Sequence, residues 1–260
     1  MARIIKSFCI SHTPPVFTPP VPYQMLCPFP LGLADEVVIR DDRFGPDIDG
    51  ANLAEYSQLF GLYELIKAGD IVADDLYLFQ YRKFLSPRMG GLESQAPWVR
   101  ILMPEDCTAQ FPTAAELEAY DARVIVGSYF DLGESIPANY ARVHVIEDMV
   151  MFAAACARNP LLNQEDVKAF ATMHGIVPSP ALCYIKTELF MKIMEILLAT
   201  WNEFRGHYSI KREGYQRRVM GYLLERLHSY LLCKWLMDGS EPNINIWHRF
   251  VVAGEKKASS

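Results

Sequence analysis

The 260-residue chain carries none of the common nucleotide or hydrolase signatures. It has no GxGxxG, no GxxxxGKS/T, no HExxH and no GxSxG. These absences exclude the usual dinucleotide turn, P-loop chemistry, zincin proteolysis and the nucleophile elbow. It has no CxxC pair either. Cys9, Cys27, Cys107, Cys156, Cys183 and Cys233 are scattered and read as reduced, buried thiols, not as a disulfide frame or a zinc site. No long apolar run is present: the most apolar stretch, MVMFAAACA at 149–157, falls well short of the roughly 20 residues that span a bilayer. The opening MARIIKSFCISHTPP is too short and too polar before its prolines for a secretion signal. Positive charge is not in excess, since 25 Lys and Arg face 31 Asp and Glu for a net charge of −6. That argues against a general nucleic-acid surface and leaves room only for a local basic cleft. A cytoplasmic location follows as the expectation, with peripheral contact at the inner face of a membrane as the closest approach to lipid.

What is present is ordinary for a globular chain: 51% hydrophobic and 22% charged residues, in a length that buries a large core without staples. RIIKSFCIS at 3–11 predicts a strand that ends at His12, where the prolines of TPPVFTPPVP forbid helix and remove donors. A second strand is expected at Glu36–Arg40, followed by Asp41, Asp42 and the turn residues RFGPDIDG. Leu53, Tyr56, Leu59, Phe60, Tyr63 and Ile66 recur at helical spacing, and Gly69 stands at the usual C-terminal glycine position. Leu76–Phe79 is an apolar run of strand length that leads into Gln80, Tyr81, Arg82 and Lys83.

Further on, TAAE at 113–116 and NQED at 163–166 are helix starts. ARVIVGSYF and PALCYIK read as strands, a helix is expected from near His144 to about Ala157, and Thr187 is expected to cap a long helix to Phe204. Helical periodicity then holds from Tyr215 to Trp235. The long amphipathic helix suits core packing, with a dimer or membrane face as its other use. The prediction is one α/β domain over 1–252, with a mixed, mostly parallel central sheet flanked by helices and a more helical C-terminal third. A disordered tail is expected at 253–260.

Chemistry is expected beyond the strand ends, where α/β sheets bind ligands. His12 is a structural histidine or a ligand contact. Asp41 and Asp42 are solvated loop carboxylates, or they take a ribose hydroxyl or a metal. Arg82 and Lys83 are surface cations or hold a phosphate, bidentately in the case of Arg. HVIED places His144 and Asp148 four apart, which is expected to set them on one helical face as a stabilising pair or as a carboxylate beside its orienting histidine. Arg217, Arg218, Glu225 and Arg226 lie within an apolar helix, where charge is costly unless paired. They form an internal ion-pair network or face an anion.

Several stretches together resemble a known family. FCISHTPP resembles its first strand, which usually ends Cys-Thr-His-Lys. DDRFGPDIDGANLAEYSQLFGLYELIK resembles its Asp-Asp segment and following helix, and DLYLFQYRKFL resembles its hallmark strand ending His-Tyr-Arg-Arg-Tyr-Phe. IPANYARVHVIEDM and YQRRVMGYLLERL resemble its Tyr-His-Asp stretch and its closing helix. The family is a domain of unknown function from bacterial capsular and exopolysaccharide clusters, regarded as a glycosyltransferase group related to the GT-A fold.

The resemblance implies a GT-A-like domain using a UDP- or GDP-linked sugar, and a surface-glycan or lipid-linked oligosaccharide acceptor. It implies a donor site at His12, Asp41, Asp42, Tyr56, Gln80, Tyr81, Arg82, Lys83 and Arg218. In many GT-A enzymes Asp-x-Asp follows such a strand and holds a divalent ion. Here Gln80-Tyr81-Arg82 stands there, so a cation would neutralise the diphosphate directly, and any Mn²⁺ or Mg²⁺ would fall to Asp41 and Asp42. The family histidine is Gln80 in this chain, which removes a titrating group at that position. For an inverting reaction the expected base is Asp148 beside His144, with Glu225 next. Two other readings compete: a non-catalytic sugar-nucleotide- or glycan-binding scaffold in polysaccharide assembly, and a hydrolase or other transferase of phosphosugars.

Overall fold

The computed structural model describes residues 3–40, 53–209, 211–237 and 246–253. Its strands are β1 (Ile5–Ile10), β2 (Gln24–Cys27), β3 (Glu36–Val38), β4 (Asp75–Phe79), β5 (Lys83–Ser86), β6 (Leu92–Glu93), β7 (Arg100–Leu102), β8 (Val124–Gly127), β9 (Phe130–Asp131), β10 (Gly175–Ile176), β11 (Cys183–Lys186) and β12 (Ile246–Val252). Its helices are α1 (Tyr56–Ala68), α2 (Cys107–Gln110), α3 (Ala114–Ala119), α4 (Ile136–Val143), α5 (Ile146–Arg158), α6 (Gln164–Thr172), α7 (Thr187–His207) and α8 (Val219–Leu236). The main sheet runs β3-β2-β1-β4-β11-β8-β12-β7-β6, with β5 added to β12. β3, β2, β1 and β4 are mutually parallel, β11 enters antiparallel, and β12 is parallel to β8 and β7. The expected mixed, mostly parallel sheet flanked by helices is the architecture observed.

Strand β4 shows why. Its five residues are all buried, and side chains alternate between faces with a period of two. Leu76 and Leu78 join the core beneath the helices, with Phe8, Ile10, Leu59, Ile193 and Leu223. Tyr77 and Phe79 enter the opposite core, with Cys9, Phe17, Phe84 and Phe111. An uninterrupted apolar run marks a strand covered on both sides, as parallel sheets require. One cover is helical. The other is built largely from the proline-rich segment, α2 and α3. Phe17 anchors that segment by packing its ring 5.2 Å from Phe84 and 5.5 Å from Phe111.

Local signals account for several boundaries. Gly69 closes α1 in the left-handed region at φ 82°, a conformation glycine adopts without steric cost. Thr113 with Glu116, and Asn163 with Asp166, form reciprocal capping boxes. All six cysteines are buried and unpaired. Helix α7 turns Leu189, Phe190, Ile193, Met194, Leu197 and Phe204 into the core, the packing use expected of it.

Other expectations require correction. The strand expected at Glu36–Arg40 is β3, which stops at Val38, two residues short of Arg40. Thr187 is the first residue of α7 and does not cap it; Lys186 precedes the helix without a side-chain cap. The helix expected from near His144 to about Ala157 is α5, which starts two residues later at Ile146, and a separate helix not foreseen, α4, precedes it. His144 ends α4 in extended conformation, φ −134° and ψ 173°, and Val145 begins α5. His144 and Asp148 therefore do not share one helical face. Strands β2, β5, β6, β7, β10 and β12 were not foreseen, and β12 lies within the main sheet between β8 and β7. Ala253 donates its amide to the Leu102 carbonyl at 2.8 Å; the remainder of the expected tail, 254–260, lies outside the described residues, as do Asp41 and Asp42.

Candidate functional site

β1 has β2 on one side and β4 on the other, all parallel. The chain leaves β1 toward β2 and β3 and returns through α1 to β4. Such a switch in direction opens a crevice beyond the carboxyl ends of the strands. A cavity of about 580 Å³ lies there, within the size range of small-molecule sites, about 300–1,000 Å³. Ile10, Ser11 and His12 continue from β1, Pro28 and Phe29 from β2, and Gln80, Tyr81, Arg82 and Lys83 from β4. Ala54, Glu55 and Gln58 close it from the start of α1, and Arg218 from the 3-10 turn (214–218) before α8.

The cationic corner is a tight turn whose backbone is already engaged. The Gln80 amide donates to the Lys83 carbonyl at 2.8 Å, and the Lys83 amide returns to Gln80 at 3.1 Å. The carbonyls of Tyr81 and Arg82 accept from the amides of Val16 and Val252, each at 2.9 Å. With the backbone satisfied on four sides, the side chains are what the turn offers to the cavity. Tyr81 packs against His12, with ring centres 5.8 Å apart, and the Arg82 guanidinium lies 5.4 Å from the Tyr81 ring. Among the described residues neither Arg82 nor Lys83 has a carboxylate in ion-pair contact. Burial lowers the pKa of Lys83, and neighbouring Arg82 and Arg249 lower it further against the pull of Glu55 and Glu225. An anion in the cavity would raise it again.

Across the cavity Arg218 meets Glu55 at 3.6 Å. Burial, then the nearby Glu225 carboxylate, raises the Glu55 pKa. Ala54, beside it, holds a left-handed φ of 51°. A Cβ on Gly221 would stand 2.9 Å from the Ala54 Cβ. The absence of a side chain at Gly221 thus lets the Glu55 segment rest directly on α8.

The structure brings together His12, Gln80, Tyr81, Arg82, Lys83 and Arg218 of the expected donor residues. Tyr56 does not reach the cavity. It is buried, and its hydroxyl shares a hydrogen bond of 3.2 Å with His228 Nδ1, a histidine that burial shifts down to a pKa of about 3. Asp148 is fully buried, and its two oxygens take Arg212 Nη2 at 2.8 Å and Nε at 3.3 Å. Its charge is thus engaged by a bidentate partner well fitted to a carboxylate. His144 instead meets Gln216. Glu225 accepts from the Ser179 amide at 3.1 Å and acts on Glu55 and Lys83 through its charge. Sequence reasoning missed Glu55, Gln58 and the half-exposed Phe29. The signal for the first two was their place one turn apart at the start of α1.

Among the described residues no group of three His, Cys, Asp or Glu is arranged to hold a metal ion. Among the described residues the charged side chains lining the cavity are Glu55, Arg82, Lys83 and Arg218, a set suited to an anion. No helix among the described residues is long and apolar enough to cross a membrane.

Comparison with solved structures matches the apo structure of WbbM, a bifunctional glycosyltransferase. The TM-score is 0.76 at 16% identity, over 96% of this chain and 46% of that one. The chain thus has the fold of a glycosyltransferase structure and spans about half of its length. No curated protein matches it. The family described as a domain of unknown function, DUF4422, matches residues 24–237, which takes in strands β2 to β11 and helices α1 to α8. The chain belongs to the DUF4422 family.

Proposed function

We propose that the protein is a glycosyltransferase that takes its sugar from a nucleotide diphosphate carrier and transfers it to a bacterial surface-polysaccharide acceptor. The observation that carries this reading is the convergence of Arg82, Lys83 and Arg218 on a cavity at the switch point of a parallel sheet. A diphosphate leaving group gains negative charge as the glycosidic bond to the donor sugar breaks. Preorganised cations at that position stabilise the transition state more than the ground state. Arg82 presents a planar fork to phosphate oxygens, and Lys83 adds a point charge on the same turn. The exposed face of Phe29 offers a stacking surface to the base. The glycosyltransferase fold of WbbM and the DUF4422 match support the assignment of the cavity to a sugar donor.

In this reading the cations do the work that an Asp-x-Asp-bound metal does elsewhere. Among the described residues Glu55 is the carboxylate in the cavity, and its raised pKa suits it to accept a proton from an attacking hydroxyl in an inverting route. His12 and Gln80 remain as polar contacts to the sugar or diphosphate. The test is donor hydrolysis in the absence of acceptor, with a panel of UDP- and GDP-sugars. Slow release of free sugar from one donor is expected, and Arg82→Ala should abolish it. Nucleotide binding without turnover of any donor would favour a scaffold. Release of inorganic phosphate from a sugar phosphate would favour a phosphosugar hydrolase.

A further inference from the structure

A second group of side chains adjoins the cavity without lining it. The Arg218 guanidinium, at the cavity wall, lies 5.6 Å from the centre of the Tyr222 ring. From Tyr222 a run of rings leads outward: His144 at 4.4 Å, Tyr215 at 5.1 Å, and Tyr215 parallel to His144 within 6° at 5.8 Å. Tyr222 is buried, whereas Tyr215 is 66% exposed. Gly214, at φ 56°, turns the chain into the 3-10 turn that presents Tyr215. Beneath the ledge Tyr140 packs 4.6 Å from His144, with Arg226 4.9 Å from the Tyr140 ring. The fully buried Tyr140 hydroxyl has no hydrogen-bond partner among the described residues.

Gln216 fixes the chemistry of the histidine. Its Nε2 donates to the Val143 carbonyl at 2.7 Å, so its Oε1 faces His144 Nδ1 at 2.9 Å. An amide oxygen accepts, so Nδ1 carries the proton and the neutral ring keeps its lone pair on Nε2. Burial lowers the His144 pKa below the ordinary histidine value, which keeps this neutral tautomer at neutral pH. The ledge therefore offers an exposed aromatic face and a neutral acceptor, beside the cavity and linked to it through Arg218.

We infer that this ledge is the acceptor subsite, where a neutral pyranose stacks its C–H face on Tyr215 and donates a hydroxyl to His144 Nε2. The inference rests on the donor reading of the cavity, because a transferase must hold two sugars side by side. A pyranose face carries C–H groups whose partial positive charge complements the negative face of an aromatic ring. The histidine acts here as a positioning residue.

The test is saturation-transfer NMR on the full chain with the methyl glycosides of galactose, glucose and mannose, paired with thermal titration by UDP and GDP. Transfer to the ring protons of at least one glycoside is expected. It should persist in Tyr215→Phe and fall about fivefold in Tyr215→Ala, with the nucleotide response unchanged in both. Because Tyr215 is exposed, loss of folding does not confuse the outcome, and the nucleotide response reports it independently. Unchanged transfer in Tyr215→Ala would overturn the subsite. So would transfer abolished by saturating UDP or GDP, which would assign the ledge to the nucleotide, or nucleotide binding with no glycoside response. A wild-type protein that responds to no nucleotide would instead overturn the donor reading, and the subsite with it.

Discussion

The two ends of strand β4 handle charge in opposite ways. At its start Asp75 is fully buried, with Arg3 Nε at 2.9 Å and Lys186 Nζ at 3.2 Å. Lys186 also reaches Asp121 at 2.7 Å, and Arg3 donates to the carbonyls of Leu117 and Glu118. At its finish Arg82, Lys83 and Arg218 face a cavity that, among the described residues, holds one carboxylate, Glu55. The lysines register the difference. Burial works against the charge of Lys186, yet Asp121 and Asp75 outweigh it and raise its pKa, whereas burial prevails at Lys83 and lowers it. Charge matched within the protein holds the fold together. At the mouth of the parallel sheet Arg82 is exposed and Lys83 half-buried, neither with an ion-pair partner among the described residues, and exposed Arg218 has only Glu55, which leaves their charge open to an anionic ligand.

This contrast can be broken at either end. Asp75→Asn should have the largest effect, about 3 kcal/mol of lost stability by urea unfolding, because it strips two cations of their shared partner; nucleotide affinity should be unchanged. Next is acid. His228 is buried neutral, with a pKa of about 3 in the folded chain against about 6.5 unfolded. A folded pKa depressed in this way means that the unfolded state binds the proton first. Stability is full above about pH 6.5 and falls as pH drops toward 3, by about 2 kcal/mol between pH 7 and pH 5. His144, shifted in the same direction, adds to the loss, and His228→Gln should flatten it. Urea midpoints at the two pH values measure both.

At the other end of β4, Arg82→Ala should leave stability within about 0.5 kcal/mol and weaken nucleotide diphosphate binding about tenfold, or 1.4 kcal/mol. Arg218→Ala should weaken it less, about threefold, because Glu55 already neutralises part of that charge. Titration calorimetry on the two variants ranks them. A larger effect at Arg218 would move the centre of the anion site away from the β4 turn.

Much of this contrast could be read from the chain. The apolar run Leu76–Phe79 followed by Arg82 and Lys83 specified a doubly covered strand with cations at its tip. Thr113, Asn163 and Gly69 marked helix ends through local chemistry that needs no tertiary context. What stayed hidden depends on distant partners. β12 carries His248 and Arg249 in mid-strand, which disguises it. Arg249 is buried only because Gly127, far away in the chain, has no side chain in its path. The break at His144 has no glycine or proline to announce it. Its nearest explanation is Gln216, which bonds to both His144 and Val143 from another part of the chain. Glu55 enters the cavity because α8 supports it at Gly221, a contact that no local pattern encodes.

The measurement that tests the central claim most directly is thermal stability of the purified protein titrated with UDP and GDP, with Mn²⁺ and with a chelator, in wild type and Arg82→Ala. Binding to the native state raises the midpoint by mass action. The account predicts a rise with one of the two nucleotides that is equal with and without metal and needs about tenfold more nucleotide in Arg82→Ala. A rise that appears only with Mn²⁺ and survives Arg82→Ala would contradict it, and would place the diphosphate on metal-binding carboxylates instead of on the cations at the end of β4.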